Sequence, residues 1–200
     1  MAVVCNALHW TDAPAVMANL AASLRPGGTF ACCMQAFRVN FPESPALDAL
    51  WLEATEAVMS RLHAEGALSE AILTGIRNCY AGYDGAAVPA EHFTDVRRWH
   101  VNARAGDATP YRFTKKGEFE ENPRRVRDGE EREGWTSDEG WRRRVDTEWL
   151  RGFLRTTTLP PDDEVWKMPA WRELERVIEE EFGGEATAEW PVYMLLATRR

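Results

Sequence analysis

The stretch Val3-Val4-Cys5-Asn6-Ala7-Leu8-His9-Trp10-Thr11-Asp12, followed by Leu24-Arg25-Pro26-Gly27-Gly28-Thr29-Phe30, constrains the fold more than any other part of the chain. The short apolar run Met1 to Leu8 predicts a strand buried on both faces, the habit of a parallel sheet covered by helices. Asp12 is placed to cap the next helix, and Pro14 fits that helix's first turn. Val16, Met17, Leu20 and Leu24 recur at the helical period. Arg25-Pro26-Gly27-Gly28 stops the helix, and Thr29 to Phe37 reads as a second buried strand. Strand, helix, strand is a crossover unit, so the two strands should be parallel neighbours. A chain that opens in mid-sheet is expected either to lack half of its binding site or to receive that half from elsewhere.

Downstream, Ser44-Pro45 opens a helix through about Ala64, with an apolar stripe of Leu47, Leu50, Trp51, Ala54, Val58 and Leu62. A short helix follows from Ser69 to Cys79, and Phe93 to Ala103 reads as a strand. Residues 112–146 change character. Ten basic and ten acidic residues cancel there, so the stretch reads as a mixed-charge surface insertion, a solvated loop unless Trp135 and Trp141 anchor it over a cavity. Asp146-Thr147 can cap a helix carrying Trp149, Leu150, Phe153 and Leu154, which Pro160-Pro161 ends. Trp171, Leu174, Val177 and Ile178 mark a further helix over about 170–182, and Trp190 to Thr198 a last apolar strand.

Composition narrows the function classes. A net charge of −8 argues against a nucleic-acid footprint, which needs a basic patch. No apolar run approaches the roughly 20 residues of a membrane span. Cys5, Cys32, Cys33 and Cys79 show no C-x-x-C spacing and read as reduced, buried thiols of a cytoplasmic protein. His9 and Asp12 make no metal pair without a third ligand, and His63, His92 and His100 are scattered, so no metal site is expected.

Asn6-Ala7-Leu8-His9-Trp10-Thr11-Asp12, the helix, and Leu24-Arg25-Pro26-Gly27-Gly28-Thr29-Phe30 resemble the class I S-adenosylmethionine-dependent methyltransferases, and within them the trans-aconitate methyltransferase-like branch. Arg155-Thr156-Thr157-Thr158 and the ending Trp190 to Thr198 are similar to later segments of that branch. The resemblance implies an α/β fold, a partial Rossmann-like sheet whose last strand is antiparallel and slots between the fifth and sixth. This chain would supply strand four near 2–8, five near 29–37, six near 95–103 and seven near 189–198, with 44–79 as a helical cap over the substrate. The whole of 1–200 would then be one truncated domain. The chain departs from the family in having no G-x-G motif after a strand: Gly27-Gly28 precedes a strand and serves as a turn.

The resemblance implies S-adenosylmethionine as methyl donor, with Asn6 and Ala7 beside the transferable methyl group and Trp10, Arg155, Thr156 and Thr158 facing a small-molecule substrate. The implied acceptor is the oxygen of a carboxylic acid, which Arg155 would hold in a two-pronged pair. His9 is either a structural histidine at a strand end or the base for a protonated acceptor. Arg155 is otherwise readable, and more simply, as a cation at a helix C-terminus. Two expectations follow: an enzyme of which this chain is the C-terminal portion, or a non-catalytic interaction module that pairs with itself or a partner through the sheet edge near 2–8.

Overall fold

Strands β1 (Ala2–Cys5) and β2 (Thr29–Gln35) lie parallel, with Ala2 opposite Phe30 and Cys5 opposite Cys33, and helix α1 (Ala13–Ser23) crosses between them. Asp12 starts α1 by accepting the Ala15 backbone N–H at 3.1 Å. This computed structural model describes residues 1–103, 111–114, 123–135 (Trp135 through its backbone only), 138–157 and 161–200.

The remaining elements are α2 (Pro45–Ala64), α3 (Glu70–Tyr80), β3 (Phe93–Val101), β4 (Glu131–Trp135), β5 (Arg142–Val145), α4 (Thr147–Arg155), α5 (Pro169–Glu181), β6 (Ala186–Glu189) and β7 (Val192–Arg199). Five strands form one sheet in the order β1-β2-β7-β3-β4. β7 runs antiparallel to both β2 and β3, while β4 pairs parallel with β3. Four strands therefore point one way and β7 the other, inserted between the second and third. This is the α/β, partial Rossmann-like plan that the resemblance implies.

The core splits along the two sides of the site. On the sheet, Phe30, Cys32 and Met34 alternate inward and meet Met17, Ala21, Tyr193 and Leu195. A second core joins α2, α4, α5 and the two-stranded β5–β6 sheet around Trp51, Trp171, Leu174, Leu150 and Ile178. Each such buried side chain stabilises by about 1.5–3 kcal/mol relative to exposure. Ser44 caps α2 through the Leu47 N–H at 3.2 Å, and Asp146 caps α4 through the Trp149 N–H at 2.7 Å.

Several expectations are corrected. The Met1 to Leu8 run is not buried on both faces: β1 ends the sheet order, and Val3 is 56% exposed. The thiols are not uniformly buried either, because Cys5 is exposed and Cys33 and Cys79 are partly so. The charged stretch is more than a loop. It contributes β4 as an edge strand and β5 as one strand of a separate two-stranded sheet, because its charges pair at the sheet rim, as Arg142 does with Glu189 at 2.7 Å. Helix α4 stops at Arg155, ahead of Pro160-Pro161, where the hydroxyls of Thr156 and Thr157 satisfy the Phe153 and Leu154 carbonyls. Glu189 closes a separate short strand, β6, and Pro191 divides it from β7.

Candidate active site

The site begins where β1 stops pairing. Asn6 turns the chain with φ of 48°, donates its backbone N–H to the Cys33 carbonyl at 2.9 Å, and accepts the Gln35 N–H on Oδ1 at 2.8 Å. Asparagine tolerates this left-handed conformation better than most residues. Its side chain thus ties together the carboxyl ends of β1 and β2, where open α/β sheets bind ligands. Leu8 to Trp10 then form one 3-10 turn.

His9 enters the molecule from that turn. Its Nδ1 lies 2.9 Å from the Tyr83 hydroxyl, its ring sits 4.8 Å from Trp10 and 5.9 Å from Tyr83, and its carbonyl accepts the Asn78 side-chain amide at 3.0 Å. Burial holds the imidazole down to about 4, so it is neutral at physiological pH. A neutral imidazole carries one donor and one acceptor nitrogen, so whichever role Nδ1 takes toward the Tyr83 hydroxyl leaves the opposite role to Nε2.

Trp10 lies across α3, and only a glycine permits this. A Cβ added to Gly75 would come within 2.3 Å of the indole. A similar close approach seats Tyr111, whose ring would lie 2.4 Å from a Cβ on Gly82, itself at φ of +56°. Tyr111 in turn meets His100 Nδ1 at 2.9 Å.

These groups open onto a cavity of about 270 Å³ under the helical segment α2–α3. Asn6, His9, Trp10 and Gln35 form one wall, and Phe37, Phe113 and Phe153 another. Phe37 meets Phe113 edge-on at 4.7 Å and stacks on Phe153 at 5.8 Å. Thr55, Val58, Met59, Ile76 and Cys79 from α2 and α3 close the cap side. Thr55 locks the cap to the 111–114 segment by donating to the Phe113 carbonyl at 2.7 Å.

Of the residues singled out in the sequence, Asn6, His9, Trp10 and Thr156 line this one cavity. Ala7 does not; it is exposed, and its carbonyl accepts the Trp10 N–H at 3.0 Å. Arg155 is also elsewhere. Its guanidinium pairs with exposed Asp163 at 3.2 Å and lies 5.5 Å over the buried Trp166, and it is not among the cavity-lining residues. Thr158 and the Trp135 side chain lie outside the described residues. Trp141 starts the chain toward β5, and its carbonyl accepts the Trp190 N–H at 3.1 Å, away from the cavity lining.

Sequence reasoning missed Thr157, the three phenylalanines, and a buried charge network behind the site. Arg98 is fully buried and donates to Glu130 at 2.6 Å, to the carbonyls of Tyr83 and Ala86 at 2.9 and 3.0 Å, and to the Tyr193 hydroxyl at 2.9 Å. Because it holds the Tyr83 carbonyl, it supports the residue that fixes His9. The signal was present in β3, where Val96, Arg98 and His100 share the inward side of the alternation.

Comparison with known proteins adds one relative. No family model matches the chain. Over 201 aligned residues it is 25% identical to Methyltransferase AacuQ of Aspergillus aculeatus, a match that takes in 100% of this chain and 62% of that protein. The chain thus spans about three fifths of the length of the curated relative, and along its whole extent it is similar to a methyltransferase.

Proposed function

We propose that this chain carries the acceptor side of an enzyme that moves a methyl group from S-adenosylmethionine to an oxygen of a small molecule. One observation carries the reading: a cavity lies under a helical cap at the carboxyl ends of β1 and β2, in a sheet whose β7 is inserted antiparallel, and Asn6 and His9 stand at its mouth. The likeness to a methyltransferase along the whole chain supports it.

The residues present fit the methyl end of the donor. No described lining side chain is cationic at neutral pH, so nothing there repels a sulfonium, and the aromatic faces attract one. Asn6 would flank it. When bound, the donor supplies an activated methyl carbon, and the acceptor oxygen forms the new C–O bond as the S–C bond breaks. Such a displacement depends mainly on alignment. The cap and the phenylalanine wall position the acceptor and exclude water. Where the acceptor oxygen bears a proton, neutral His9 is the group in the lining able to take it.

The reading is tested by titrating the isotope-labelled chain with S-adenosylmethionine and following backbone amide resonances. Shifts confined to Asn6, Ala7, His9, Trp10 and the β2 end are expected, with affinity weaker than micromolar, because the Gly-rich contacts of the family have no counterpart in this sequence. Absence of shifts at millimolar donor, or shifts centred elsewhere, would overturn it. A calorimetric affinity of micromolar or better would instead refute the view that most donor contacts lie outside these residues.

A further inference from the structure

The described lining of the cavity is built without charged side chains. Its described lining contains no Asp, Glu, Lys or Arg, and its one titratable base, His9, is neutral above about pH 4. Several of its polar atoms are engaged within the protein. Thr55 donates to the Phe113 carbonyl, Thr156 and Thr157 to Phe153 and Leu154, and Asn6 Oδ1 accepts from Gln35. Guanidiniums in the neighbouring chain are turned to other work: Arg112 lies 4.7 Å over the Tyr80 ring, and Arg155 pairs with Asp163. What remains toward the ligand is the face of Trp10, the Phe37, Phe113 and Phe153 wall and the methyl groups of the cap, with Gln35 and His9 as neutral hydrogen-bonding residues.

Against the described lining a carboxylate would lose its hydration with no cation among those residues to replace it, whereas a flat neutral ring would exchange water for aromatic edges and faces. We infer that the acceptor is a neutral, ring-bearing molecule that offers a hydroxyl, in place of the small carboxylic acid that the resemblance implies. The inference deepens the methyl-transfer reading of the same cavity and rests on it for the word acceptor; the ligand preference itself rests on the lining alone. A cavity of about 270 Å³ sits near the lower end of the roughly 300–1,000 Å³ usual for small-molecule sites, which favours a molecule of one or two fused rings.

The test compares naphthol with naphthoate, which share the same two rings and differ in a neutral hydroxyl against a carboxylate, and adds citrate as a tricarboxylate without a ring. Binding to the whole chain is read by calorimetry without any methyl donor. Naphthol is expected to bind at least about tenfold more tightly than naphthoate, and citrate not at all. Thr157→Lys, which places a cation in the lining, should move the preference toward naphthoate by about tenfold, with the circular dichroism of the fold unchanged. Equal or tighter binding of naphthoate or citrate to the unmodified chain, or no binding of naphthol, overturns the inference. Naphthol binding combined with no donor-induced shifts at Asn6 to Trp10 counts against methyl transfer and leaves the ligand class standing.

Discussion

His9 and Tyr83 are 74 residues apart in sequence and are joined in the interior by a 2.9 Å contact between the imidazole Nδ1 and the phenol hydroxyl. Burial pushes both groups toward their neutral forms, the histidine down to about 4 and the tyrosine well above its ordinary value. The pair is therefore an uncharged hydrogen bond at neutral pH, a fixed orienting contact behind the cavity wall.

This pairing predicts an acid-sensitive fold. His9 and His100 are both held down to about 4 by burial, against 6.5 in an unfolded chain. Between those values the unfolded state binds protons that the native state does not, so stability falls as pH drops from 6.5 toward 4. Two such groups give a slope of about 2.7 kcal/mol per pH unit, and His9→Gln or His100→Gln should each remove about half of it. Urea unfolding at pH 7, 6 and 5 measures the slope; a flat profile would contradict the neutral assignment.

Gly75→Ala should cost about 1–3 kcal/mol by driving a methyl group into the Trp10 ring. In a Trp10→Ala background the same change should stabilise by up to about 1 kcal/mol, because alanine is the better helix former inside α3. Additive behaviour in this double-mutant cycle would show that the indole does not lie on α3.

Arg98→Met should destabilise by about 3–5 kcal/mol, since among the described residues it leaves Glu130 with Arg127 alone at 3.0 Å and removes the guanidinium 3.9 Å from Asp84, a buried carboxylate that also accepts the Tyr193 hydroxyl at 3.1 Å. Adding Glu130→Leu should recover part of that loss, a result readable as the midpoint of chemical unfolding. A loss below about 1 kcal/mol in the single variant would mean that the network is hydrated.

Asn6→Ala removes the acceptor for the Gln35 N–H and leaves a non-glycine residue at positive φ, so a loss of about 1–3 kcal/mol is expected. Asn6→Asp keeps the acceptor and should stay within about 1 kcal/mol of the parent. Equal losses in the two variants would assign the asparagine's value to its amide nitrogen.

Most of the fold was legible from local chemistry. Asp12, Ser44, Ser69 and Asp146 each cap the helix that follows, and each is recognisable from a few neighbours because a cap acts within a single turn. The antiparallel β7 between β2 and β3 followed from resemblance, not from pattern, since an apolar strand does not carry its direction in its residues. Half of the site was legible for the same reason as the caps: Asn6, His9 and Trp10 sit at a strand end, and strand ends of parallel sheets are where ligands bind.

What the sequence determined by itself, then, is the set of elements and the segment at the reaction mouth. Only the tertiary structure decided which side chains face the cavity and which charges find partners. Arg155 leaves the site because it pairs with Asp163 and lies over Trp166, and Thr157 enters it because the helix stops early. Arg98 finds Glu130, and His9 finds Tyr83, across separations of 32 and 74 residues. Periodicity and capping are interactions over one turn or one pleat and are written in adjacent residues. Burial, and with it the neutral state of His9 and the absence of charge among the described lining residues, depends on contacts that exist only once distant segments are packed.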